Sequence, residues 1–184
     1  MRCQEMGKRK RDIVEEMRDR QGILSEIKNF FTLGYGTKED LRELDKMLRD
    51  LYYTDLKRLR HLWEDIYLAV LEADVKAPTR DLKKVIQVMD RVMEKIHHAD
   101  YGYAGLFDRK GSIREEELAG ILNYDRELGT RIDSLKDEVE KVQSYVESEN
   151  WGELPANVRR VKDLLLSLED RWIERERRFR PLRL

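Results

Sequence analysis

Apolar residues recur along this chain in steps of three and four, with no sustained two-residue alternation. The pattern therefore predicts helices throughout and no strands. The longest uninterrupted stretch, Thr37 to Val75, holds neither Pro nor Gly, enough for one rod of about 55 Å at ~1.5 Å rise per residue. Its stripe is Leu41, Leu44, Leu48, Leu51, Leu59, Leu62, Ile66 and Val70. Near its far end Leu62, Trp63, Ile66, Tyr67, Leu68, Val70 and Leu71 are apolar on nearly every side, so several neighbours should cover it.

The other helices are cut to pack against this rod. Ile13, Met17, Leu24, Ile27 and Phe31 mark a first helix that begins near Arg11 and ends at Gly34 and Gly36, glycine being the residue that closes a helix in left-handed geometry without steric cost. Thr37 and Asp40 form a near-capping box for the second. Pro78 stops that helix around residues 74–77, and Thr79 is expected to cap a third built on Leu82, Val85, Ile86, Met89, Val92, Met93 and Ile96. Tyr103 and Phe107 continue this stripe while Gly102 and Gly105 fall outside it. The segment 101–109 reads either as loop or as helix, and the periodicity favours helix as far as Arg109, with Gly111 as its terminal glycine.

Ser112 with Glu115 makes a second capping box, opening a fourth helix carried by Leu118, Ile121, Leu128, Ile132, Leu135, Val139, Val142 and Val146. Residues 148–154 form a turn in which Trp151 plugs the end of the core. Pro155 then sits in the first turn of a fifth helix, with Val158, Val161, Leu165, Leu168, Trp172 and Phe179 inward and Pro181 at its end. Connections this short force an all-α, antiparallel up-and-down bundle of about five helices, the second and fourth being longest. Residues 1–10 read as a flexible segment, 11–180 as a single bundle domain and 181–184 as a tail.

Charged residues make up 41% of the chain beside 40% hydrophobic ones, a balance of heavily charged helix faces and continuous apolar stripes. Pairs such as Asp45 with Arg49 and Asp137 with Lys141 add i,i+4 support, and this composition is compatible with a thermophile. The lone Cys3 excludes an intramolecular disulfide and a cysteine-based zinc site. With no apolar run long enough for a membrane span and no secretory leader, the cytoplasm is the expected location. A net charge of -1 speaks against a general nucleic-acid binder, although residues 115–153 are acidic and 171–183 rich in Arg.

Several residues suggest chemistry. Glu94 and His97 have the Glu-x-x-His spacing of ferritin-like metal sites, but that chemistry needs two such motifs, and Glu94, His98 and His61 point away from their stripes. More telling, four acids occupy inward positions: Asp55, Asp100, Asp125 and Glu176. Helix rise places them at a common height, about 30–35 Å from the shared end of the bundle. Such a layer needs a divalent cation such as Mg, an arginine or protons; Arg20 and Arg58 are the arginines the stripes bring nearest. A third candidate is the bundle end carrying Thr37 and Ser112 at helix starts, with Tyr35 and the basic residues Arg175, Arg177 and Arg178, as a contact for an anion or an acidic partner. No phosphate-binding glycine loop and no strained serine turn is present.

The leading expectation is a non-enzymatic bundle acting through protein contacts, as a homodimer through Trp63, Tyr67, Leu68 and Leu71, which one inward stripe cannot cover. The alternative is a metal-dependent enzyme, such as a phosphoester hydrolase, built on the carboxylate layer. RNA or anion binding through the Arg-rich C-terminus is a third reading.

Overall fold

A computed structural model describes residues 19–29, 32–33, 37–74, 78–99, 102–103 and 115–179, with only the backbone at 38 and 115–118. Five helices account for nearly all of it: α1 (19–29 of its length), α2 (Lys38–Glu72), α3 (Thr79–His97), α4 (Glu115–Glu147) and α5 (Leu154–Phe179). No strand occurs among the described residues, and α2 and α4 are the longest helices, at 35 and 33 residues. No helix among the described residues is long and apolar enough to cross a membrane. The expected starts and stops at Gly34, Gly36, Gly111, Ser112 and Pro181, and Cys3, lie outside the described residues.

Local chemistry sets the ends that are described. Thr37 and Asp40 close the expected capping box at the start of α2, each side chain accepting from the other's backbone N–H. Asp74 (φ 48°) and Glu149 (φ 55°) take the left-handed geometry that ends α2 and α4. Thr79 does not cap α3. Pro78 is the cap residue, its carbonyl accepting from Asp81 and Leu82 at 2.8 and 3.0 Å, and Thr79 is already the first helical residue. Nor does α3 run on to Arg109: it ends at His97, and Tyr103 lies in a short 3₁₀ segment. The backbone at Gly102 lies directly against the Asp45 carboxylate of α2, where a Cβ would collide.

From α2 to α5, consecutive helices alternate in direction. Tyr53 meets His97 and Arg60 meets Asp90, an antiparallel α2/α3 hairpin; Arg171 meets Tyr124 and Arg160 meets Glu138, an antiparallel α4/α5 hairpin. Glu169 of α5 meets Arg91 and Lys95, which lie opposite the middle of α2, whereas Arg175 meets Asp45 near its start. Thus α5 runs against α2 and alongside α3, and the two hairpins stand side by side with α2 against α4 and α3 against α5. Helix α1 lies over the α2/α4 seam through buried Ile23, Leu24 and Ile27.

The core is continuous from Leu154 and Leu82 at one end to Tyr103 and Phe179 at the other. Each fully buried Leu, Ile, Val or Phe contributes about 1.5–3 kcal/mol. Trp63, which the α2 stripe leaves for a partner to cover, is fully buried, its indole N–H donating to the Leu82 carbonyl at 3.0 Å. Trp151 is half-buried and packs on the core from the α4/α5 turn.

Candidate functional site

Helix periodicity explains how charges come to lie inside. The buried row of α2 is Leu41, Asp45, Leu48, Tyr52, Leu56, Leu59, Trp63, Ile66 and Val70, an unbroken series of three- and four-residue steps. Leu44, Leu51 and Leu62, expected inward, are only half-buried beside it. On α5 the inward row passes through Trp172, Arg175 and Phe179, and on α4 through Asp125 and Leu128. Three charged residues from three helices therefore share one level of the core.

Arg175 is 1% exposed. Its Nε donates to Asp125 Oδ1 at 2.6 Å and one terminal nitrogen donates to Asp45 Oδ1 at 2.7 Å. Arg49 reaches the other oxygen of Asp45 from the helix surface at 2.9 Å. The Tyr103 hydroxyl donates to Asp125 Oδ2 at 2.7 Å, and the Tyr52 hydroxyl to the Asp125 carbonyl at 2.6 Å, fastening α2 to the backbone of α4. The guanidinium stacks on Phe179 and Trp172, 4.5 and 4.8 Å from their ring centres, so aromatic faces replace water around the charge.

The electrostatics follow from burial and pairing. Burial pushes the Asp125 carboxyl above the ordinary carboxylate value, with Arg175 and Tyr103 pulling the other way. Burial also raises the Tyr52 and Tyr103 phenols well above theirs, helped by Asp125. For Arg175 burial disfavours the cation, but Asp125 and Asp45 outweigh it and its pKa is raised. Each oxygen of both carboxylates has a donor. The cluster is a locked ion-pair layer that joins α2, α4, α5 and the segment carrying Tyr103.

The four expected metal ligands part company. Asp125 is in this layer with an arginine of the chain as its cationic partner. Asp55 and Glu176 are half-buried; Asp55 lies near enough to Arg20 to favour its charged form. Asp100 lies outside the described residues. Among the described residues no group of three or more His, Cys, Asp or Glu could hold a metal ion. His61 is exposed, and His98 is an exposed partner of Glu94 at 3.1 Å.

The expected anion-contact end is also rearranged. Thr37 is exposed, whereas Tyr35 and Ser112 lie outside the described residues. Arg175 is a core residue and not a surface one: of the two positions that the interval from Trp172 to Phe179 could turn inward, the fold buries 175 and leaves Glu176 half-buried. Arg177 and Arg178 are exposed, pairing with Glu174 at 3.9 and 3.7 Å.

A further charge cluster, around Glu169, lies outside the sequence candidates, and the inward Arg20 pairs with an acid that was not one of the four. Glu169, buried on α5, accepts a paired bond from Arg91 at 2.8 and 2.6 Å and lies 2.7 Å from Lys95, tying α5 to α3. These bonds from Arg91, with Lys95, hold its carboxyl at about 2 against an ordinary 4.5. Buried Arg20 of α1 donates to Asp133 of α4 at 2.6 Å, beside a cavity of about 170 Å³ that Leu24, Tyr52 and Thr130 also line. Glu169 had a readable signal, since it neighbours Leu168 on the inward row of α5. No family model matches this sequence, and no curated protein or solved structure is found to be similar to it.

Proposed function

We propose that this protein is a non-enzymatic helical bundle that works through protein contacts, meeting a second copy of itself along the outer face of α2. The observation that carries the reading is where the exposed apolar surface lies. All four large hydrophobic residues exposed among the described residues belong to the first two helices or their junction: Leu33, Met47, Leu68 and Leu71. Leu68 and Leu71, 50% and 46% exposed, are three residues apart and share one outward face. A two-fold contact between two α2 helices sets Leu68 of each copy against Leu71 of the other, the reciprocal pattern of an isologous interface. The buried charges support the same reading, because Arg20, Asp45, Asp125, Glu169 and Arg175 each have an ion-pair partner within the chain.

The test is sedimentation or light-scattering mass across a concentration series. A concentration-dependent dimer is expected, and the pair Leu68→Asp with Leu71→Asp should return it to monomer with the helical content and melting temperature retained. A wild-type chain that stays monomeric at every concentration, or a dimer indifferent to both substitutions, would remove the proposal.

A further inference from the structure

The fourth and fifth helices carry a surface different from the exposed leucines of α2. Between α4 and α5 lies an open groove of about 610 Å³, lined by Asn123, Arg126, Glu127, Thr130, Arg131 and Arg171. Three guanidinium groups there face one carboxylate. The only ion pair these arginines make among the described residues is a loose one, Arg171 to Glu127 at 3.5 Å. Arg131 is held by a neutral partner, donating to the Ser167 hydroxyl at 2.6 Å, so its orientation is fixed while its charge is not neutralised. Arg171 is steadied in the same way, donating to the Tyr124 hydroxyl at 3.2 Å and lying 5.2 Å from that ring's centre. Arg178, paired with Glu174 at 3.7 Å, stacks on the same Tyr124 ring at 4.2 Å.

Arginine forks positioned by neutral hydroxyls, with positive charge in excess, are suited to an anion that accepts several hydrogen bonds at once. We propose that this groove binds a small phosphoanion, with Arg131 and Arg171 donating to its oxygens and Arg126 supplying charge. The groove is sized for a compact ligand, and the chain's net charge of -1 gives no broad basic field for a long polyanion. The assignment is independent of self-association through α2.

The experiment is a titration of the full-length protein with pyrophosphate, following the arginine Nε–Hε signals by NMR at constant ionic strength set with chloride. Saturable shifts are expected at Arg131 and Arg171, and Arg131→Ala should weaken binding about tenfold, as expected for losing one charge-assisted pair. Arg131→Lys, which keeps the charge and loses the fork, should fall between the two. Arg177→Ala, outside the groove, should change nothing. Because Arg131 also bonds Ser167, Ser167→Ala serves as a second variant that leaves every charge in place; it should weaken binding by freeing the guanidinium. Shifts no larger than equal chloride produces, equal affinity in Arg131→Ala, or binding of single-stranded RNA without binding of pyrophosphate would each overturn the proposal.

Discussion

Arg175 Nε donates to Asp125 Oδ1 at 2.6 Å with neither side chain reaching solvent. A buried pair of this kind contributes little over apolar packing, because both ions have lost their hydration, yet breaking it leaves a bare charge in the core. Arg175→Met should therefore cost about 3–5 kcal/mol, since it strands Asp125 and half of Asp45. Combining it with Asp45→Leu and Asp125→Leu should recover part of that loss: Arg49 is close enough to the surface to be hydrated, while the buried Tyr103 hydroxyl loses its acceptor. Urea denaturation of the single and triple variants measures both; a triple variant weaker than the single would show that the layer stabilises beyond what apolar packing can supply.

Two glycines should respond in opposite directions. At Gly102 an added Cβ meets the Asp45 carboxylate, which Arg49 and Arg175 hold in place, so Gly102→Ala should destabilise by about 1–3 kcal/mol. At Gly22, within α1, nothing lies within 4 Å of the added atom. Gly22→Ala should stabilise by about 0.5–1 kcal/mol through helix propensity alone. Thermal melts of the two variants beside the parent decide both.

The core layer also shows where a sequence stops being legible. Helix number, the long α2 and α4, the Thr37 cap and the inward Asp125 follow from spacing and caps. Between Leu41 and Leu48 the steps three-plus-four select Leu44 and four-plus-three select Asp45; apolarity favours the leucine, and the fold buries the acid. Between Trp172 and Phe179 the same ambiguity offers Arg175 or Glu176, and there charge gives no guidance. A one-position choice on each helix is enough to replace a ring of carboxylates by an arginine held between two aspartates. No clue on α2 decides between the two rows: the one through Leu44, Leu51 and Leu62 is interrupted only at Asp55, and the one through Tyr52, Leu56 and Trp63 only at Asp45. The close approach of Gly102 to Asp45 was not legible, because it joins two parts of the chain far apart in sequence.

Acid should weaken the α3/α5 contact in a defined window. The Glu169 carboxyl titrates at about 2 in the folded chain against an ordinary 4.5. With the folded value depressed, its stabilisation is fully present above about 4.5 and is lost as pH falls towards about 2. Arg91 is half exposed, so screening limits the effect to about 1–2 kcal/mol. Glu169→Gln should be destabilised by that amount at pH 7, with the gap to the parent closing between pH 4.5 and pH 2. Denaturation at a series of pH values checks it; a gap independent of pH would assign the loss to packing and not to charge.

Helix α1 should open before the rest of the bundle. It meets α4 through the Arg20–Asp133 pair and the seam through Ile23, Leu24 and Ile27, whereas α2 to α5 are joined by the continuous core and the Arg175 layer. Local opening free energies track such differences in burial and bonding. Arg20→Met removes the pair and leaves Asp133, which is 31% exposed in its side chain, free to be hydrated, so the loss should be about 1 kcal/mol and confined to α1. Hydrogen exchange should then quicken several-fold at amides of 19–29 and stay unchanged at the buried amides of α2 and α5. Uniform acceleration through all five helices would instead make α1 part of the same cooperative unit, since an element that opens alone cannot raise exchange in helices that remain closed.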